Sequence, residues 1–184
     1  MKSNPYRCMR ILGKKYLENT VFSHYGEDFF RPDRVQKIDF YQNHLNKPKI
    51  GGIWLSPKES EYGWKEWATV VEYKHFRDKY RWDVKLKTDA KIICCLEEKD
   101  LLNLPTSDLF VDGIYACSYI DYGELIRRGY DGLFLSFQLL ANTKLQGKHI
   151  EGSPIPTFRY WDCESLLLFG TRCIQHVNNI RKSG

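Results

Sequence analysis

Apolar positions in this chain fall into short runs separated by Gly, Pro and charged residues, the pattern of strands and brief helices. Residues 6–12 and 20–24 read as short strands joined by a basic turn at Gly13-Lys14-Lys15. Residues 26–49 are polar, lack a sustained period and contain Pro32 and Pro48, which predicts a long loop with one helical turn. Gly51-Gly52 then introduces the apolar run Ile53-Trp54-Leu55, a buried strand. Ser56-Pro57 ends it, because proline withholds a ladder donor and pushes the preceding residue out of helical geometry. A helix is expected over 59–67, bringing Tyr62, Trp64 and Trp67 near the strand end that carries Trp54. Residues 81–87 alternate with period two, as a half-buried strand does, and 90–96 form a fuller apolar strand. The spacing predicts a helix over 100–104 ended by Pro105, and another over 120–128 closed by Gly129. Strands follow at 132–138 and 164–169, separated by a turn-rich connection at 147–156, and a basic tail closes the chain.

Strands outnumber helices without regular β-α alternation, so the expected class is α+β with mixed or antiparallel sheets. At 184 residues a single domain over 1–184 is expected, long enough to bury roughly 70% of its unfolded surface. No apolar run approaches the roughly 20 residues of a membrane span, and residues 1–10 lack the apolar centre of a secretion signal. Six cysteines form no C-x-x-C pair, and three of them lie in apolar runs. Buried free thiols in a reducing cytoplasm, with no metal site, are the expectation.

The net charge of +5 mildly favours anionic partners. Lys and Arg interleave with aromatic residues at 73–82, a stretch suited either to a phosphate backbone and stacked bases or to a solvated helix entering a strand. Two polar clusters carry candidate chemistry. Ser23-His24-Tyr25-Gly26 ends a strand before the long loop, and Asp162-Cys163-Glu164 leads the apolar run Ser165-Leu166-Leu167-Leu168. Carboxylates entering an apolar strand need partners if they are buried.

Taken together, three segments resemble the catalytic strands of ADP-ribosyltransferases, in the branch whose signature is His, then Tyr, then Glu. His24-Tyr25-Gly26 resembles the family's His-Gly pair with one residue inserted. Gly52-Ile53-Trp54 and Trp64 resemble its Gly, apolar, Tyr and later Tyr, with Trp in both aromatic places and Ser56 near the family's Ser or Thr. Asp162-Cys163-Glu164 resembles its acidic residue, any residue, Glu. The segments come in the family's order and span 23–169.

The resemblance implies an ADP-ribosyltransferase-like fold of split sheets and NAD as the substrate. Glu164 would stabilise the cationic ribose, His24 would fix the adenosine-side ribose, and Trp54 would complete the catalytic set. Trp54 and Trp64 would stack on the nicotinamide, with Tyr25, Gly26, Gly52 and Ser56 lining the site. Arg31 and Arg34 would reach the diphosphate, and Asp162 would position the acceptor. That acceptor is a macromolecule, nucleic acid slightly favoured over protein. The implied setting is a cytoplasmic toxin or phage-conflict effector, with an antitoxin as a further partner and no membrane. Two rivals stand beside it: a non-catalytic basic nucleic-acid-binding module, and a hydrolase pairing Cys117 or Cys163 with His149 or His176.

Overall fold

The computed structural model describes residues 9–26, 28–38, 51–73, 80–111, 114–142 and 161–181. Strands and short helices mix in an α+β arrangement: α1 (Lys14–Asn19), β1 (Phe22–Gly26), a 3-10 turn at Pro32–Arg34, β2 (Ile53–Pro57), α2 (Trp64–Val70), β3 (Tyr80–Leu86) and β4 (Ile92–Cys95). After these come α3 (Glu98–Leu101), β5 (Thr106–Val111), β6 (Ile114–Ile120), α4 (Tyr122–Arg127), β7 (Gly132–Leu135), α5 (Phe137–Asn142), β8 (Ser165–Leu168) and β9 (Ile174–Arg181). Seven strands form one mixed sheet in the order β4-β7-β8-β2-β1-β3-β9, and β5 and β6 pair separately. Only β4 and β7 run parallel within the mixed sheet; its other pairings are antiparallel.

The sheet is covered on both faces where its strands are most apolar. Side chains alternate across a strand, so Leu167, Leu133, Leu135, Ile93 and Cys95 join a cluster on one face with Trp161, Leu125 and Leu139. Leu166, Leu168, Phe134, Ile92, Cys94, Leu55 and Phe22 join a second cluster on the other, under Leu17 of α1. Burial on both faces explains why β4, β7 and β8 read as unbroken apolar runs rather than alternating ones. Each such Leu or Ile contributes about 1.5–3 kcal/mol when removed from water.

Several expectations shift. Gly13 serves as the N-cap of α1 rather than the centre of a basic turn, and residues 10–12 reach β4 only through the bridge of Ile11 to Ile93 and its flanking hydrogen bonds. The helix expected from residue 59 begins at Trp64, because Ser60 and Ser56 hold the preceding turns. The strand expected to run through residue 138 stops at Leu135, where Ser136 turns the chain into α5. The supposed basic tail contains β9, an edge strand of eight residues, seven of which pair with β3 across one irregularity beside Lys85 and Leu86. The connection at 147–156 and the basic stretch 74–79 lie outside the described residues.

Cys94, Cys95, Cys163 and Cys173 are buried free thiols. Among the described residues no helix is long and apolar enough to cross a membrane, and no group of His, Cys, Asp or Glu is arranged to hold a metal ion.

Gly52 adopts φ +69°, and a Cβ there would meet Leu167 Cδ1 at 2.5 Å and the Leu168 carbonyl at 2.6 Å. Substituting Gly52→Ala is expected to cost about 2–4 kcal/mol from the left-handed backbone and overpacking together. Gly170→Ala, where nothing lies within 4 Å, serves as a near-neutral control in the same urea titration.

Burial, the first cause in each case, pushes Cys94 and Cys173 from 9.0 up to about 12. Below pH 9 folded and unfolded chains both keep these protons; above it the unfolded chain releases them while the folded chain holds them to about 12. Stability is therefore expected to be full below pH 9 and to fall as pH rises through that window, measured by denaturant unfolding at stepped pH.

Candidate functional site

Glu164 immediately precedes β8, and the turn between β2 and α2 wraps around it. Its backbone N–H donates to the Tyr62 carbonyl at 3.0 Å. Its carbonyl accepts from Ser56 Oγ at 2.8 Å, and the same Oγ accepts from the Trp64 N–H at 3.0 Å. The carboxylate is held separately. Oε2 accepts from Ser60 Oγ at 2.6 Å and Oε1 from the Phe137 N–H at 3.3 Å, at the start of α5. The Tyr62 and Phe137 rings sit 5.1 Å apart beside this network. Gly63 lets α2 begin close to this turn, since a Cβ there would press on Ser56 Cβ at 3.1 Å and Glu66 Oε2 at 3.2 Å.

The partners of Glu164 differ from those of Asp83, Asp100 and Asp131 and resemble those of half-buried Asp121, which accepts from Ser107 Oγ at 3.3 Å and from the Glu124 N–H at 2.8 Å. Asp83 pairs with Arg81 and Lys58, Asp100 with Arg10, and Asp131 with Arg172. Among the described residues, the donors to the half-buried Glu164 carboxylate are a hydroxyl and a backbone N–H, both neutral. Its charge is felt nearby. Tyr16 of α1 is pushed from 10.0 up to about 12, first by burial and then by the Glu164 charge.

Strand alternation decides which expected residues can meet. Glu164 lies one residue before β8, and its charge acts on Cys94 and on Tyr16, which packs with Phe134, on the side of Leu166 and Leu168. His24 lies on the same face as Phe22, its ring stacked on Trp82 at 4.2 Å and 20°. His24 Nδ1 is 2.7 Å from the Trp54 carbonyl; a carbonyl only accepts, so this nitrogen carries the proton. Extending the registers places Glu164 level with Pro57 and Phe22. His24 is two strands away, on the order of 10 Å, and two residues further along. Phe22, Leu55 and Leu166, all buried, fill the sheet between them.

Trp54 does not join this face. It pairs with Leu167 and packs edge-on against Trp161 at 4.7 Å, in the opposite cluster. The expectation that its indole shares a cleft with Glu164 is thereby corrected: one residue of register separates a ring from the face on which His24 and Glu164 lie. Tyr25 shares the Trp54 side, across from Arg81, and burial raises its phenol pKa. Gly52 is also reassigned. The space beside it is filled by β8, so its glycine serves chain packing rather than a ligand.

The remaining residues are placed as follows. Ser56 organises the Glu164 backbone. Trp64 is half-buried with its ring stacked on Trp67 at 4.8 Å. Gly26 gives the His24 ring clearance, a Cβ there meeting Nε2 at 3.3 Å. Arg31 and Arg34 are exposed and share Asp28 Oδ2 at 3.9 and 3.5 Å. Asp162 is half-buried, and both it and Glu164 precede the strand rather than opening it. Sequence reasoning missed Ser60, Tyr16 and the Phe137 N–H, and it brought Tyr62 near Trp54 and Trp82 into the basic stretch without linking them to Glu164 or His24; Ser60 lay in the expected helix and carried no signal. Buried Cys163 contacts the Ser165 hydroxyl at 3.2 Å, while the Cys117 side chain and His149 lie outside the described residues. A groove of about 590 Å³ opens elsewhere, lined by Leu17, Glu18, Lys85 and His176.

No family model, curated protein or solved structure matches the chain. The two serines separate by role. Ser56→Ala removes a hydroxyl joining two backbone groups and is expected to lower stability by about 1–3 kcal/mol. Ser60→Ala is expected to cost less, about 1–2 kcal/mol, because half-exposed Glu164 regains water. Urea unfolding of the two variants checks the order.

Proposed function

We propose that the protein is an NAD-dependent ADP-ribosyltransferase of α+β, ADP-ribosyltransferase-like fold, transferring ADP-ribose to a macromolecular acceptor. Nucleic acid is favoured over protein as that acceptor. The observation that carries the reading is the half-buried Glu164 carboxylate, fixed by neutral donors while Asp83, Asp100 and Asp131 are neutralised by Arg or Lys. A carboxylate so held keeps its negative potential for a cation that forms during reaction.

The chemistry needs such a group. The bond between ribose C1′ and the nicotinamide nitrogen breaks with its electron pair returning to the ring, which leaves as neutral nicotinamide. The sugar passes through a loose, cationic transition state like that of glycoside cleavage. Glu164 stabilises that charge, the acceptor atom bonds to C1′, and the acceptor's proton leaves to Glu164 or solvent. Ser60 positions the carboxylate. His24, on the same face, binds the remote ribose through Nε2, since Nδ1 is committed to the Trp54 carbonyl. The Tyr62 and Phe137 rings adjoin Glu164 and take the nicotinamide-stacking role expected of Trp54, with Trp64 next in the same turn. The cytoplasmic, toxin-like setting with an antitoxin partner belongs to this proposal.

The test is incubation with labelled NAD and cell extract, comparing wild type with Glu164→Gln. Labelling is expected to fall about 100- to 1000-fold, as for loss of one preorganised electrostatic group. Sensitivity of the label to nuclease rather than protease identifies the acceptor. Undiminished labelling by Glu164→Gln overturns the assignment. Absence of nicotinamide release, with steeply salt-dependent binding to nucleic acid, assigns a non-catalytic module instead.

A further inference from the structure

Beyond β1, residues 28–34 lie against the far end of the sheet in a way that packing alone does not require. The backbone is pinned at two points. Trp82 Nε1 donates to the Asp28 carbonyl at 2.7 Å, and the Phe30 N–H donates to Asn179 Oδ1 at 3.0 Å. Phe30 fills the space over Trp82, edge-on at 5.3 Å. Phe29 behaves differently. Its ring tilts onto Tyr80 at 4.5 Å, yet it remains 44% exposed, a large apolar face presented to solvent by an anchored segment.

The strand registers say what surrounds it. His24, Trp82 and Asn179 form one row across β1, β3 and β9, and Gly26, Tyr80 and Arg181 form the next row on the same face. Gly26 contributes no side chain to that row, while Arg181 brings a cation beside Tyr80. Arg31 and Arg34 stand on the segment itself, 49% and 63% exposed. Both approach a single oxygen of Asp28 at 3.9 and 3.5 Å, beyond good hydrogen-bond length. Exposed pairs of this kind are worth about 0–1 kcal/mol and are readily exchanged for a better anion. A guanidinium fork matches phosphate oxygens in pairs. An anchored, exposed π-face beside loosely committed guanidiniums has the composition of a nucleotide platform, with base stacking supplying sequence-tolerant affinity.

We propose that Phe29, supported by Tyr80, receives the base of a nucleoside diphosphate whose phosphates are held by Arg31 and Arg34, with Arg181 flanking them. This deepens the transferase reading, since NAD contains an adenosine diphosphate half, but free ADP suffices to examine it.

The experiment titrates the full chain with ADP, adenosine and inorganic pyrophosphate by calorimetry. ADP is expected to bind more tightly than either fragment. Phe29→Ala is expected to weaken ADP roughly 10- to 100-fold while leaving pyrophosphate unchanged. The double variant Arg31→Ala/Arg34→Ala is expected to weaken ADP and pyrophosphate but not adenosine. Wild-type ADP affinity in Phe29→Ala, with unchanged unfolding midpoint, overturns the proposal. So does absence of ADP binding when a single-stranded oligonucleotide binds and is lost in the same variants, which assigns the platform to a polymer. Glu164→Gln separates the two readings: retained ADP binding with undiminished NAD labelling sinks the transferase and leaves this site standing. Lost labelling in Glu164→Gln with wild-type ADP affinity in Phe29→Ala does the reverse.

Discussion

The pleat of β8 is the constraint on which the rest depends. Leu166 and Leu168 belong to one apolar cluster and Leu167 to the other, so β8 is clamped on both sides while it pairs with β7 and β2. Because both faces are apolar, a slip of one residue would keep the leucines buried but exchange their clusters, at a packing cost of about 1–3 kcal/mol. That clamp fixes where Glu164 emerges from the sheet. It also fixes Trp54, through its pairing with Leu167, on the far side. Site geometry here is inherited from core packing.

The turn between β2 and α2 completes what the clamp begins. Ser56 and Tyr62 take the backbone of Glu164, leaving the carboxylate to Ser60 and the Phe137 N–H. Backbone and side chain are thus restrained by different groups. A carboxylate restrained in this manner loses little freedom when a ligand arrives, the condition for electrostatic preorganisation. The segment from Gly51 to Trp64 therefore works as one piece: Gly52 lets the chain press against β8, and Gly63 starts α2 without crowding Ser56.

Much of the sheet was legible because its central strands are apolar on both faces, and β3 because it alternates. α4 was legible because Gly129 adopts φ +80° as a helix terminator. β9 was not, since Ile174, Val177 and Ile180 are separated by polar residues and its register comes from β3 rather than from its own pattern. The pair β5–β6 also escaped, although Asp112-Gly113 between the two runs is the dipeptide favoured at a hairpin. For the site, Glu164 and His24 stood out as polar groups at strand ends. Trp54 misled because an aromatic residue in a motif-like position says nothing about the face it occupies. Ser60 carried no periodic signal, as hydrogen bonding across 104 positions leaves none.

Charge gives the final step. A chain with net charge +5 has cations to spare, and it places them on Asp83, Asp100 and Asp131, where two or more strands or loops must be tied together. Arg172, for example, spans from Asp131 to the Gly129 carbonyl. Were Glu164 a structural tie of the same sort, a guanidinium beside it would stabilise it more than a serine hydroxyl does. Such a pairing would also cancel the potential a developing sugar cation needs. A carboxylate fixed by neutral donors keeps its potential, as Asp121 does at the N-terminus of α4 and Glu164 does beside the turn between β2 and α2. This distinguishes Glu164 from Asp83, Asp100 and Asp131, whose cations tie the fold together.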